Sequence, residues 1–155
     1  MEGEVIPMAD SSAAAQQPDA LSTARPGGPS VVLAGYDRTD ASSHALSYAA
    51  GLAARVGARL VVLNVTESPA TDYGTGVRVC VDDVAQEVQQ VIAGCGGCEV
   101  TVDVGDPAGV IQRIASQLRA DVIVVGQSRH RWTHLLGSVP GRLARHAEQP
   151  VLIVP

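Results

Sequence analysis

The segment Ser30-Val31-Val32-Leu33-Ala34-Gly35-Tyr36-Asp37 decides the reading of this chain. It is a near-continuous apolar run that stops at a glycine and a carboxylate. A strand covered on both faces reads this way, whereas a strand with one wet face alternates. The same pattern returns at Asp121–Val125, in Ala120-Asp121-Val122-Ile123-Val124-Val125-Gly126. Three more β-rich runs fit the role: Arg59–Val65, Cys98–Val104 and Val151–Val154. Between them lie four helical patterns. Residues 42–57 place Ala45, Ala49, Leu52 and Val56 on one stripe, and residues 80–93 do so with Val84, Val88 and Val91. Residues 107–119 open on Asp106 as N-cap and Pro107 at the first helical position, burying Val110, Ile111, Ile114 and Leu118. Residues 138–147 offer Val139, Leu143 and Ala147.

Strand and helix alternating at this spacing predict βαβ units and a parallel sheet. Right-handed crossovers make it a three-layer, doubly wound α/β domain. In that class a ligand sits beyond the C-terminal strand ends, where the winding reverses.

Composition narrows the chemistry. With 155 residues and 46% hydrophobic content, the chain can build one domain core without disulfides. Residues 1–28 are rich in Ala, Ser, Gln, Pro and Gly, lack periodicity, and are expected to form a disordered leader; the domain is expected over residues 29–155. That leader carries Glu2, Glu4, Asp10 and Asp19 against Arg25. The first thirty residues have neither a basic start nor an apolar h-region, and no apolar run approaches a membrane span. A cytoplasmic protein is expected. All eleven basic residues are arginine. A P-loop lysine, a Schiff base and a lysine general base are thereby excluded. The net charge of −5 argues against a general nucleic-acid binder.

The strand ends carry the site candidates. Asp37 projects beyond the first strand, where a carboxylate can accept hydrogen bonds from a base or ribose, or serve as a turn or N-cap residue. The fourth strand ends in Val125-Gly126, and Gly137-Ser138-Val139 opens the last helix. Glycine admits a phosphate close to the backbone, and a helix N-terminus offers free N–H groups and a positive dipole end. From Arg129 to His146 the basic residues are Arg129, Arg131, Arg142 and Arg145, with His130, His134 and His146 and no acid among them. In an acidic chain, that concentration favours an anion site. Trp132 could stack on a base, anchor its loop or meet a partner.

These residues, taken in order, resemble the universal stress protein family. The resemblance runs over about residues 30–155. It rests on Val31–Asp37, on Val62-Leu63-Asn64-Val65, on Gly105-Asp106-Pro107-Ala108 and on Ala120–Gly126. It closes with Gly137-Ser138-Val139, Arg142-Leu143, His146-Ala147 and Pro150–Val154. The resemblance implies a five-stranded parallel sheet of order 3-2-1-4-5, of the adenine-nucleotide alpha-hydrolase-like kind. It implies homodimers through the last strand, Val151–Val154, with regulatory protein partners. It also implies ATP held between the ends of strands one and four, with Mg²⁺ entering only alongside bound nucleotide. Asp37 and Val65 would meet the adenosine side, Val125 and Gly126 would lie under ribose and phosphates, and Gly137, Ser138 and Val139 would grip phosphate. Arg129 stands where the family's ATP-binding pattern has a second glycine, and the stretch from there to Gly137 is two residues shorter than the pattern. Arg129 then either donates to phosphate or fills the pocket, and the alternative function is a homodimeric interaction protein that binds no nucleotide.

Enzyme readings are weaker. No Gly-x-Gly-x-x-Gly or Ser-Gly-Gly loop follows the first strand; Asp37-Arg38-Thr39-Asp40 stands there, and a phosphorelay receiver would need a lysine. Cys95-Gly96-Gly97-Cys98 has redox or metal spacing, but it follows a helix rather than opening one, and only Cys80 remains as a further thiol. A Gly-rich turn is the plainer reading. His130 and His134 fall in a loop, and Ser42, Ser43 and His44 read as capping residues of a helix start.

Overall fold

A computed structural model describes residues 30–66, 81–127 and 137–155. Five strands and four helices alternate: β1 (Val31–Gly35), α1 (Asp40–Val56), β2 (Arg59–Thr66), α2 (Val81–Val91), β3 (Cys98–Val104), α3 (Pro107–Leu118), β4 (Val122–Gly126), α4 (Val139–His146) and β5 (Val151–Val154). The strands form one parallel sheet in the order β3-β2-β1-β4-β5. The winding therefore reverses between β1 and β4.

Two cores sandwich the sheet. On one face α1 and α2 cover Val32, Ala34, Leu60, Val62 and Val124; on the other, α3 and α4 cover Leu33, Val61, Leu63, Ile123 and Val125. The three central strands are apolar on both faces for this reason. The edge strands differ: most of β3 and β5 is only half-buried. Their apolar runs read like central strands, because a run of valines carries no information on whether a neighbour lies on each side.

The buried face of α1 is Ser42, Ala45, Leu46, Ala49, Ala50 and Ala53, while Leu52 and Val56 are only partly buried. Ala45 and Ala49 of the expected stripe are buried, and Leu46, Ala50 and Ala53 join them in place of Leu52 and Val56. Small residues let the helix axis approach the sheet closely, which the larger Leu52 and Val56 would prevent. The helix also starts two residues earlier than its apolar periodicity suggests. Thr39 and Ser42 form a reciprocal capping box, in which the Thr39 hydroxyl accepts the Ser42 amide and the Ser42 hydroxyl accepts the Thr39 amide, so the helix opens at Asp40. Asp106 and Pro107 open α3 as expected. Asp121 immediately precedes β4, and its N–H donates to the Val31 carbonyl at 3.0 Å. Its carboxylate accepts the Ser30 and Val31 amides at 2.7 and 2.9 Å, clamping the start of β1 beside β4. Among the described residues, no helix is long and apolar enough to cross a membrane.

Candidate functional site

β1 and β4 lie side by side with Ala34 opposite Val124, so Tyr36 and Asp37 leave the sheet next to Val125 and Gly126. This is the switch-point crevice. Its base-facing half is made by unequal strand lengths. Pairing of β1 with β2 ends at Gly35 and Leu63, and the last backbone bond between them runs from the Tyr36 N–H to the Leu63 carbonyl at 2.9 Å. β2 continues through Asn64, Val65 and Thr66, held on its other side by β3. In a parallel ladder alternate residues turn their N–H and C=O toward the same neighbour. Leu63 serves β1, so the peptide groups of Val65 face the same way, into the space beyond the end of β1. The Tyr36 carbonyl accepts instead from Asn64 Nδ2 at 2.8 Å.

Asp37 stands at the rim of that space. Its Oδ1 accepts from the Thr39 hydroxyl at 2.6 Å and the Thr39 amide at 3.2 Å. It is a turn residue, while Thr39 is the N-cap. Loss of hydration pushes its pKa up, and the hydrogen bonds from the Thr39 hydroxyl and amide outweigh that, leaving it below the usual carboxylate value. Asp37 is therefore a stable anion whose second carboxylate oxygen has no partner among the described residues. The next residue, Arg38, adopts a left-handed φ of 68° and turns away to form a bidentate ion pair with Glu87 of α2. Ser42 is fully occupied: its Oγ accepts the Asp37 and Thr39 amides and donates to the Thr39 carbonyl at 2.9 Å. It is a cap, not a nucleophile.

The phosphate-facing half is built from the α4 N-terminus. Gly137 has φ 75°, the left-handed turn that favours glycine, and it delivers Ser138 as N-cap. Ser138 Oγ accepts the Gly141 amide at 3.2 Å, which leaves its O–H free to donate. Val139 follows as the first helical residue, half-buried against the α3 side. Arg142, expected among the anion-facing arginines, is directed elsewhere. Its guanidinium grips the Asp106 carboxylate at 2.5 and 2.8 Å, tying α4 to the N-cap of α3. Gly126 also has an internal reason to be small. A Cβ there would lie 2.5 Å from the Ala41 carbonyl carbon and oxygen and 2.8 Å from the Ser42 nitrogen. The first turn of α1 thus rests directly on the end of β4.

Arg129, with Arg131, Trp132, His130 and His134, lies outside the described residues, as do the leader and Cys80. Cys95 and Cys98 are free and half-buried, and burial pushes the Cys98 thiol up, opposite to what a redox nucleophile needs. Among the described residues, no group of three or more His, Cys, Asp or Glu is placed to hold a metal ion. Sequence reasoning passed over Asn64 and Thr39. The signal for Asn64 was available: a lone amide in the apolar run Leu60–Val65.

The model of the universal stress protein family matches residues 30–155. The chain belongs to the universal stress protein family. Among solved structures, this universal stress protein is similar to a universal stress protein in complex with cAMP, at 27% identity and a TM-score of 0.69, covering 83% of this chain and 98% of that one. It is also similar to a universal stress protein family member from Burkholderia pseudomallei, at 30% identity and a TM-score of 0.55, covering 81% and 96%. The protein UspA from Lactobacillus plantarum shares the fold at 23% identity and a TM-score of 0.64, covering 81% and 97%. A comparison with curated proteins found no match.

Proposed function

We propose that this universal stress protein is a cytoplasmic regulatory module that binds an adenine nucleotide, ATP with its Mg²⁺, at the β1–β4 switch point, and that it does not catalyse a committed reaction. One observation carries the reading. β2 outruns β1 beside the Asp37 carboxylate, so that among the described residues the Val65 N–H and C=O have no β1 partner and face the crevice. A peptide edge of that kind complements the donor–acceptor edge of adenine, and Asp37 suits ribose hydroxyls. Gly137, Ser138 and Val139 offer a helix N-terminus for phosphate, with Val125 and Gly126 beneath. The cAMP-bound relative supports the choice of an adenine nucleotide. The lowered pKa of Asp37 makes it a weak general base, which favours binding over hydrolysis. On the sequence alone, Arg129 is proposed as a further donor to phosphate.

The test is calorimetric titration of nucleotide-stripped protein with Mg-ATP at low and moderate salt. Saturable binding of one nucleotide per chain is expected. No binding up to millimolar nucleotide overturns the reading.

A second reading is a homodimeric interaction protein that binds no nucleotide, and its dimeric half is favoured by β5. It is an edge strand of four apolar residues, Val-Leu-Ile-Val, with Ile153 39% exposed. Such an edge invites pairing with a second copy, and light scattering at twice the chain mass would support it.

A further inference from the structure

Two polar side chains are buried among the described residues, Ser42 and Asn64. Ser42 spends its hydroxyl on capping α1. Asn64 is the unexplained one. It is 4% exposed and lies on the sheet face occupied by Val32, Ala34, Leu60 and Val62. Its Nδ2 donates to the Tyr36 carbonyl at 2.8 Å, and its Oδ1 has no partner. An orphaned buried acceptor is destabilising. A leucine of similar size would suit this core better, unless the donated bond has a use.

Ladder geometry identifies the use. The rung after Tyr36 N–H to Leu63 carbonyl would run from the Val65 N–H to the Tyr36 carbonyl. That carbonyl accepts from the Asn64 side chain instead, and the β1–β2 register stops at Gly35 and Leu63. A side chain thus stands in for the rung, satisfying Tyr36 without using Val65.

We infer that Asn64 is a positioning residue that holds the β1–β2 ladder open by one rung and so presents the Val65 peptide edge to the nucleotide base. The ladder half stands on its own; the base half rests on the adenine-nucleotide reading. Removing the amide leaves the Tyr36 carbonyl without its donor, and the nearest replacement along the ladder is the Val65 N–H. The strands then close by one rung, and the edge that distinguishes adenine from hypoxanthine is lost.

The variant is Asn64→Leu in the full chain, with Asn64→Val in reserve should it fail to fold. Amide hydrogen exchange by NMR reads the rung, and titration with AMP and IMP reads the base. The Val65 amide exchanges freely in the wild type and becomes protected in the variant, at equal or higher thermal stability. AMP affinity falls about tenfold, the worth of one good hydrogen bond, and the preference for AMP over IMP shrinks with it. Val65 protection that is the same in both proteins overturns the inference. So does unchanged AMP affinity in a variant of a wild type that binds. A wild type that binds neither nucleotide overturns the adenine reading alone, and the exchange of Val65 still decides the role of Asn64.

Discussion

Replacing Gly126 with alanine separates two reasons for a glycine at the end of β4. The residue has an ordinary strand conformation, so alanine meets no φ penalty. By reducing the freedom of the unfolded chain it would even stabilise by about 0.4–1 kcal/mol. Against that stands the added methyl, 2.5 Å from the carbonyl carbon and oxygen of Ala41 and 2.8 Å from the Ser42 nitrogen. Carbon atoms in contact prefer about 3.5–4.0 Å, so α1 must move by roughly an ångström. The obstacles are main-chain atoms in a capped first turn, so no side chain can swing away. Overpacking costs about 1–3 kcal/mol in general, and main-chain obstacles put this site at the upper end. The net loss is about 2 kcal/mol, a fall in Tm of roughly 6–10 °C for a domain of this size. Urea and thermal unfolding of the ligand-free protein measure it. If Gly126→Ala unfolds at the wild-type temperature and is impaired only in binding nucleotide, the glycine serves the ligand, and the reasoning from α1 packing is refuted.

Two further outcomes follow from the same geometry. Glu87, Asp103 and Asp106 each have a pKa lowered first by hydrogen bonds from an arginine, namely Arg38, Arg113 and Arg142. A carboxyl whose folded pKa is depressed contributes stability that is present above its unfolded value and lost as the pH falls through the folded one. Stability should therefore hold above the ordinary values of 4.5 for Glu87 and 3.8 for the aspartates and decline below them. Arg142→Gln should make that decline shallower, and superimposable Tm–pH profiles would contradict it. At Ser138, glycine removes the hydroxyl but remains a tolerable N-cap, costing only about a few tenths of a kcal/mol. Ser138→Gly should weaken ATP several-fold while leaving adenosine affinity unchanged; equal losses for both ligands would place the hydroxyl away from phosphate.

The fold was legible because its signals are redundant. Five β-rich runs, four helical patterns and the Asp106-Pro107 start all point to one architecture, and a small error in any of them changes nothing. What the sequence hid were facts about neighbours. Val151–Val154 reads like a buried strand, and only sheet order shows it to be an edge. Arg142 reads as one of a basic cluster, and only the packing of α3 against α4 brings Asp106 within 2.8 Å of it. Ala45 and Ala49 were legible on the buried face of α1, but Ala50 and Ala53 were concealed because Leu52 and Val56 look more hydrophobic than alanine. Closeness of approach, rather than hydrophobicity, chose that face.

The same distinction explains why the two halves of the site differ in legibility. The phosphate half is written in side chains and glycines, which a sequence displays. Those groups turn out to be shared with structure. Ser138 caps α4, Gly126 clears α1, and Arg142 joins two helices. The base half is written in backbone: a strand one rung longer than its neighbour, next to a carboxylate locked by Thr39. A sequence does not display an unpaired peptide group, and Val65 looks like any strand valine. The one side chain that betrays the open rung is Asn64, an amide kept in an apolar run with its oxygen unsatisfied. A residue that lowers core stability while freeing a backbone edge is the kind of local inconsistency by which a binding site departs from the rules that build the fold around it.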